Sequence, residues 1–147
     1  MSGEAARRIL VVSADETVLG LLGRLIEEAK GLALCGSASE TSAVSEARRT
    51  RPDLIVLDAD PSGADGASVL LSKLSLACEA ALVVVSSTAW PGTKETESLL
   101  DAGACAVYPK PSGRSGLGLA GSSGAAYVER WLQIELQHSA EGSGGRG

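Results

Sequence analysis

Apolar runs of strand length alternate along the chain with stretches of helical period. Arg8–Ser13, "RILVVS", reads as a first strand, and Val18, Leu21, Leu22, Leu25 and Ile26 then recur at helical spacing. Leu32–Ser37, "LALCGS", predicts a second strand, and Ala43–Arg49 a short helix. Asp53–Asp58, "DLIVLD", predicts a third strand, with Val69, Leu70, Leu71 and Leu74 on the helix after it. Ala81–Ser86, "ALVVVS", predicts the fourth strand, Glu95–Ala102 a helix, and Cys105–Tyr108 a fifth strand. A last amphipathic helix is expected over Ala125–Leu136, with Val128, Trp131, Leu132 and Leu136 inward.

Strands apolar on both faces and separated by helices imply a parallel sheet covered on both sides. The expected fold is therefore α/β: a doubly wound, five-stranded parallel sheet of flavodoxin-like order 2-1-3-4-5, with helices on both faces. One domain is expected over residues 1–137, with a Gly/Ser-rich segment at 112–124. The stretch 138–147, "HSAEGSGGRG", has nothing to bury and is expected to be a disordered tail.

Composition narrows this picture. The chain has 147 residues, enough for one domain with a real core, and 44% of them are apolar. No run of about 18 uncharged apolar residues occurs, so no membrane insertion is expected. The opening "MSGEAARRIL" lacks a signal-peptide pattern, so a cytoplasmic location is expected. A net charge of −5, few aromatics and no Phe argue against nucleic acid as a partner. Cys35, Cys78 and Cys105 show no metal-ligand spacing and read as reduced, buried thiols.

One position raises a chemical question. Four apolar residues, Leu54–Leu57, run straight into Asp58, and Asp60 follows. A carboxylate at the end of a buried strand is costly unless something binds it or it does chemistry. In the expected topology the crevice lies at the carboxyl ends of strands one and three. Asp58, the "SADE" turn at Ser13–Glu16, Ser86, Ser87 and Lys110 would meet there. A carboxylate can carry an acyl phosphate. The developing charge then needs a cation, a hydroxyl and a divalent metal, roles open to Lys110, Ser86 and Mg²⁺. The structural alternative for Asp58 is a loop-bonding or helix-capping acid at a strand end.

At this point a resemblance emerges. "PDLIVLDADPSGADG" (52–66) and "VVVSSTAWPGTKETESLLDAGACAVYPKPSG" (83–113) resemble the response-regulator receiver domain. The likeness is to its chemotaxis branch, the methylesterase receiver half and single-domain regulators. The resemblance implies Asp58 as phospho-acceptor, Ser86 as the hydroxyl switch position, Lys110-Pro111 as the Lys-Pro pair, and Asp65-Gly66 closing the acceptor loop. It also implies a signalling module rather than an enzyme, with a histidine kinase and a downstream protein as partners. The methylesterase's catalytic domain is not expected within these 147 residues.

The match breaks after strand one. The family's two acidic positions, which hold Mg²⁺, carry Ser13 and Ala14 here. Asp15 and Glu16 follow out of register, so a metal set of Asp58, Asp60 and Asp15 is weakened. Ser13 with Glu16 instead matches an S-x-x-E capping box opening the first helix. The loop proline, Pro61, comes one place early. Val107 stands where the family commonly has an aromatic, and the adjacent Tyr108 should face the other side of the sheet. The expected function is thus phosphoryl acceptance on Asp58 and relay through a changed protein-binding surface. The alternative is a pseudo-receiver that binds proteins independently of phosphorylation.

Other motifs have plainer readings. "GLGLAG" (116–121) fits G-x-G-x-x-G but follows no first strand of a βαβ unit, so a linker is expected rather than a dinucleotide site. His138 lies past the last helix with no partner in sight. Trp90 and Tyr108 are candidate partner contacts, with a loop anchor the other reading for Trp90.

Overall fold

A computed structural model describes residues 7–28, 31–60, 63–86 and 92–109. The elements, in chain order, are β1 (Arg7–Val12), α1 (Glu16–Glu28), β2 (Leu32–Ala38), α2 (Ala43–Thr50), β3 (Leu54–Asp58), α3 (Gly63–Ala77), β4 (Ala81–Ser86), α4 (Lys94–Asp101) and β5 (Ala106–Pro109). The expected last helix lies outside the described residues, as do the Gly/Ser segment and the tail.

The strands form a five-stranded sheet in the order β2-β1-β3-β4-β5, all parallel, as the pattern of apolar runs predicts. Two core clusters flank it. On one face Ile9, Val11, Leu54 and Val56 pack with Val18, Leu22, Leu25 and Ile26 of α1. On the other, Leu10, Val12, Ile55, Leu57 and Val84 pack with residues of α2, α3 and α4. The strand period of two explains the division, since neighbouring residues face opposite sides. Both faces are covered, which is why β3 and β4 are apolar at every step before their last residue.

The helices follow from spacing in the same way. In α3, Ala67, Leu70, Leu71 and Leu74 are buried along one stripe, whereas Val69 stands 57% exposed on the opposite side. In α2 the buried residues are Ala43, Ala47 and Thr50, small enough to let the helix lie close to the sheet. It ends on Arg51 in the left-handed region, φ 49°, whose N–H closes on the Ala47 carbonyl. A non-glycine residue there carries a strain of about 1 kcal/mol. α4 opens on Thr93, whose hydroxyl accepts the Thr96 N–H at 3.2 Å.

Two expectations need correction. The cysteines are not buried: Cys35 and Cys78 are half-buried and Cys105 is exposed. β5 begins at Ala106 rather than at Cys105, although the Cys105 N–H already donates to the Leu82 carbonyl of β4 at 2.7 Å. Val107 packs on the α2–α4 side and Tyr108, half-buried, on the α1 side, so the alternation expected for them holds. No helix of the described residues is long and apolar enough to cross a membrane.

Candidate functional site

The register of the sheet builds the site. β1 pairs with β3 through Val12 and Leu57, so the next residues along each strand, Ser13 and Asp58, come side by side. β3 pairs with β4 through Asp58 and Val85, which brings Ser86 to the same edge. The Ala59 N–H donates to the Val85 carbonyl at 3.0 Å, holding the chain in line just past the strand end.

Asp58 is fully buried, and Ser13 and Ser86 are nearly so. A buried carboxylate is tolerable when its oxygens are hydrogen-bonded. The Ser13 hydroxyl donates to Asp58 Oδ2 at 2.7 Å, and the Asp60 N–H donates to Oδ1 at 3.0 Å. The second bond is the local turn that Asp residues make with the backbone two places on. Ser86 Oγ donates to Asp60 Oδ1 at a longer 3.4 Å. Polar side chains from β1, β3 and β4 thus form one linked row along the carboxyl edge.

The turn after β1 corrects the expected capping box. Asp15, not Ser13, caps α1: its Oδ1 accepts the Thr17 N–H at 2.9 Å, and its carbonyl accepts the Leu19 N–H. Ser13 Oγ accepts the Asp15 N–H at 3.0 Å while donating to Asp58. Sequence spacing found the S-x-x-E pattern but not the partner 45 residues away, because only strand register reveals it. Asp15 and Glu16 are exposed, and Asp15 is occupied by the helix start.

The fit to Mg²⁺ can be judged from these donors. The ion wants near-octahedral oxygen ligands with carboxylates among them. Here Asp58 and Asp60 supply carboxylates, but the β1 end supplies a neutral hydroxyl and the exposed methyl of Ala14. Among the described residues, no group of three or more His, Cys, Asp or Glu is placed to hold a metal. The donors among the described residues do not fit the ion. Lys110, Trp90, Ser87, Pro61 and Pro111 lie outside the described residues, and so do the side chain of Asp65 and the "GLGLAG" and His138 segments. Elsewhere, on α2, Arg49 Nη2 donates to Glu46 Oε1 at 2.6 Å, holding the Glu46 carboxyl below its usual range and raising the guanidinium. That pair is on the solvent side and takes no part in the site.

No family model matches the chain. Over 107 residues, 72% of this chain, it is 31% identical to a protein-glutamate methylesterase/protein-glutamine glutaminase of Treponema denticola. It is 33% identical over 107 residues to the corresponding enzyme 2 of Shewanella oneidensis. The chain spans only 29% and 30% of those relatives' lengths. The response regulator domain of Thermotoga maritima CheB superposes with a TM-score of 0.69 at 23% identity, over 90% of this chain and 96% of that one. A CheY-like receiver domain protein of Methanospirillum hungatei gives 0.71 at 20% identity, over 93% and 99%. These two show the fold. Taken with the sequence likeness and the sheet order, they bear out the resemblance carried by residues 52–66 and 83–113: the chain is a homologue of response-regulator receiver domains, including those of chemotaxis methylesterases.

Proposed function

We propose that this receiver homologue acts in two-component, chemotaxis-type signalling as a protein-binding module whose output surface does not depend on phosphoryl transfer to Asp58. The observation that carries this reading is the Ser13 hydroxyl on Asp58 Oδ2 at 2.7 Å. With the Asp60 N–H on Oδ1, both oxygens of the buried carboxylate are engaged within the fold. Phosphoryl transfer is driven mainly by positioning and by charge placed against the phosphoryl oxygens. Here a neutral hydroxyl and a methyl stand where the family carries two acids, so that support is weakened at its source. The partner in this reading is a downstream protein that recognises the unmodified domain. The methylesterase chemistry named for the relatives forms no part of it.

A second reading keeps phosphoryl acceptance from a histidine kinase on Asp58, with Ser86 and Lys110 binding the phosphoryl oxygens. One observation favours it: Ser86 is buried at the adjacent strand end and reaches Asp60 at 3.4 Å.

Intact mass after incubation with acetyl phosphate and Mg²⁺, beside an Asp58→Asn control, separates the two. The expected result is no added mass on folded protein. A gain of one phosphoryl group that the Asp58→Asn variant lacks would replace the first reading with the second.

A further inference from the structure

We infer that the cleft between the ends of α2 and α3 is a binding site for a small organic phosphate, held by Arg48 and Arg51. The inference is independent of what happens at Asp58, because the cleft opens at Asp53, at the other end of β3. Its volume is about 720 Å³, inside the range of roughly 300–1,000 Å³ usual for small-molecule sites. Arg48, Arg51, Asp53 and Glu79 line it, over a floor that includes the buried Ala47 and Ala80. Three observations single out the two arginines. Arg49, between them in sequence, is bonded to Glu46 at 2.6 Å, whereas Arg48 and Arg51 make no ion pair or side-chain hydrogen bond among the described residues. The acids of the cleft are engaged elsewhere: Asp53 accepts the Arg8 N–H at 2.8 Å, and Glu79 interacts with another group of the chain. Arg51 stands in the left-handed region, φ 49°, where a glycine would sit without strain, yet a long cationic side chain is placed there. A favourable contact with the α2 C-terminus explains one cation in the last turn, and Arg49 already supplies it.

The open donors choose the ligand. A guanidinium offers five N–H groups in a planar fork and accepts nothing, so two of them call for an anion rich in acceptors. One fork already satisfies a carboxylate, which has two oxygens and one charge. Two forks match a phosphate monoester, which has three strong acceptor oxygens and about two negative charges above its second pKa near 6. The alanine floor adds the preference for an organic body, since apolar surface laid over it leaves water. Arg7 and Arg8, at the start of the adjoining β1, set two further cations against the two acids of the cleft.

The test is titration of the full chain with phenyl phosphate, followed through the amide resonances of Arg51, Cys78 and Ala80. Saturable shifts are expected at these amides, with those of Ala59 and Asp60 at the other edge of the sheet unmoved. Arg51→Gly removes one guanidinium at a position where glycine is unstrained, so the fold is not put at risk, and Arg48→Gln removes the other while keeping a good helix former. Each is expected to weaken binding by about tenfold or more, the range for one partner of a charged group. Benzoate, a monoanion with the same ring, is expected to bind more weakly, as is phenyl phosphate below its second ionisation near pH 6. Inorganic phosphate is expected to bind more weakly than phenyl phosphate. No saturable shift with millimolar phenyl phosphate, or an unchanged affinity in either arginine variant, would overturn the site. Benzoate binding as tightly as phenyl phosphate would overturn the assignment to phosphate, and inorganic phosphate doing so would overturn the need for an organic body.

Discussion

Two aspartates bracket the same short strand and do opposite things. Asp53, just before β3, turns its carboxylate back to β1 and accepts the Arg8 N–H at 2.8 Å, in an exposed setting. The Asp53 N–H donates to the Arg8 carbonyl at 2.8 Å, and the Asp53 carbonyl accepts the Ala81 N–H at 3.1 Å. The residue therefore pins three strands at their entry edge. Asp58, five positions on, is fully buried, and its Oδ2 accepts a hydroxyl rather than a backbone amide across the sheet. Water shares the load at Asp53, whereas at Asp58 the protein has to supply every partner. The difference between an acid that fixes register and an acid enclosed at the carboxyl edge is one of burial, not of residue type.

Substitutions can break that comparison. The largest effect is expected from Leu57→Ala, which removes a fully buried side chain next to Asp58. It should cost about 2–5 kcal/mol in urea unfolding, the range for such core truncations. This sets the scale for the strand itself. Ser13→Ala should come next, at about 1–3 kcal/mol, because a buried carboxylate loses a donor that water cannot replace. Asp53→Ala should cost least, about 0.5–1.5 kcal/mol, since the Arg8 N–H can turn to solvent. A cost for Asp53→Ala equal to that of Ser13→Ala would erase the distinction between the two ends.

The residues that were legible in advance and those that were not differ in the range of their partners. The order of the sheet followed from local facts: "LIVLD" and "ALVVVS" are apolar at every step, and helical spacing fills the intervals. Asp58 stood out for the same reason, as a charge ending a buried run. The S-x-x-E pattern at Ser13 suggests a capping box because it lies within four residues, while the partner of Ser13 is set by β1–β3 register 45 positions away. Asp15 is exposed, and its Oδ1 accepts the Thr17 N–H at the start of α1, a role that the spacing of acids alone does not reveal. Val69 sits among apolar neighbours in sequence but faces solvent, since four apolar residues in six exceed what one helix stripe can bury.

One irregularity has a bearing on how such a domain can vary. The pairing of β1 with β2 slips by one residue between Ile9 and Leu10, so Ile9 faces Leu34 but Leu10 faces Gly36, and Cys35 is left between them. The pairing of β1 with β3 runs straight through the same two residues. The edge strand therefore serves as an expansion joint. A residue gained or lost in β2 is absorbed there, and the alignment of Ser13 with Asp58 is untouched. A change of length in the outer strand leaves the polar row in place, while any insertion in β1 or β3 would throw it out of line at once.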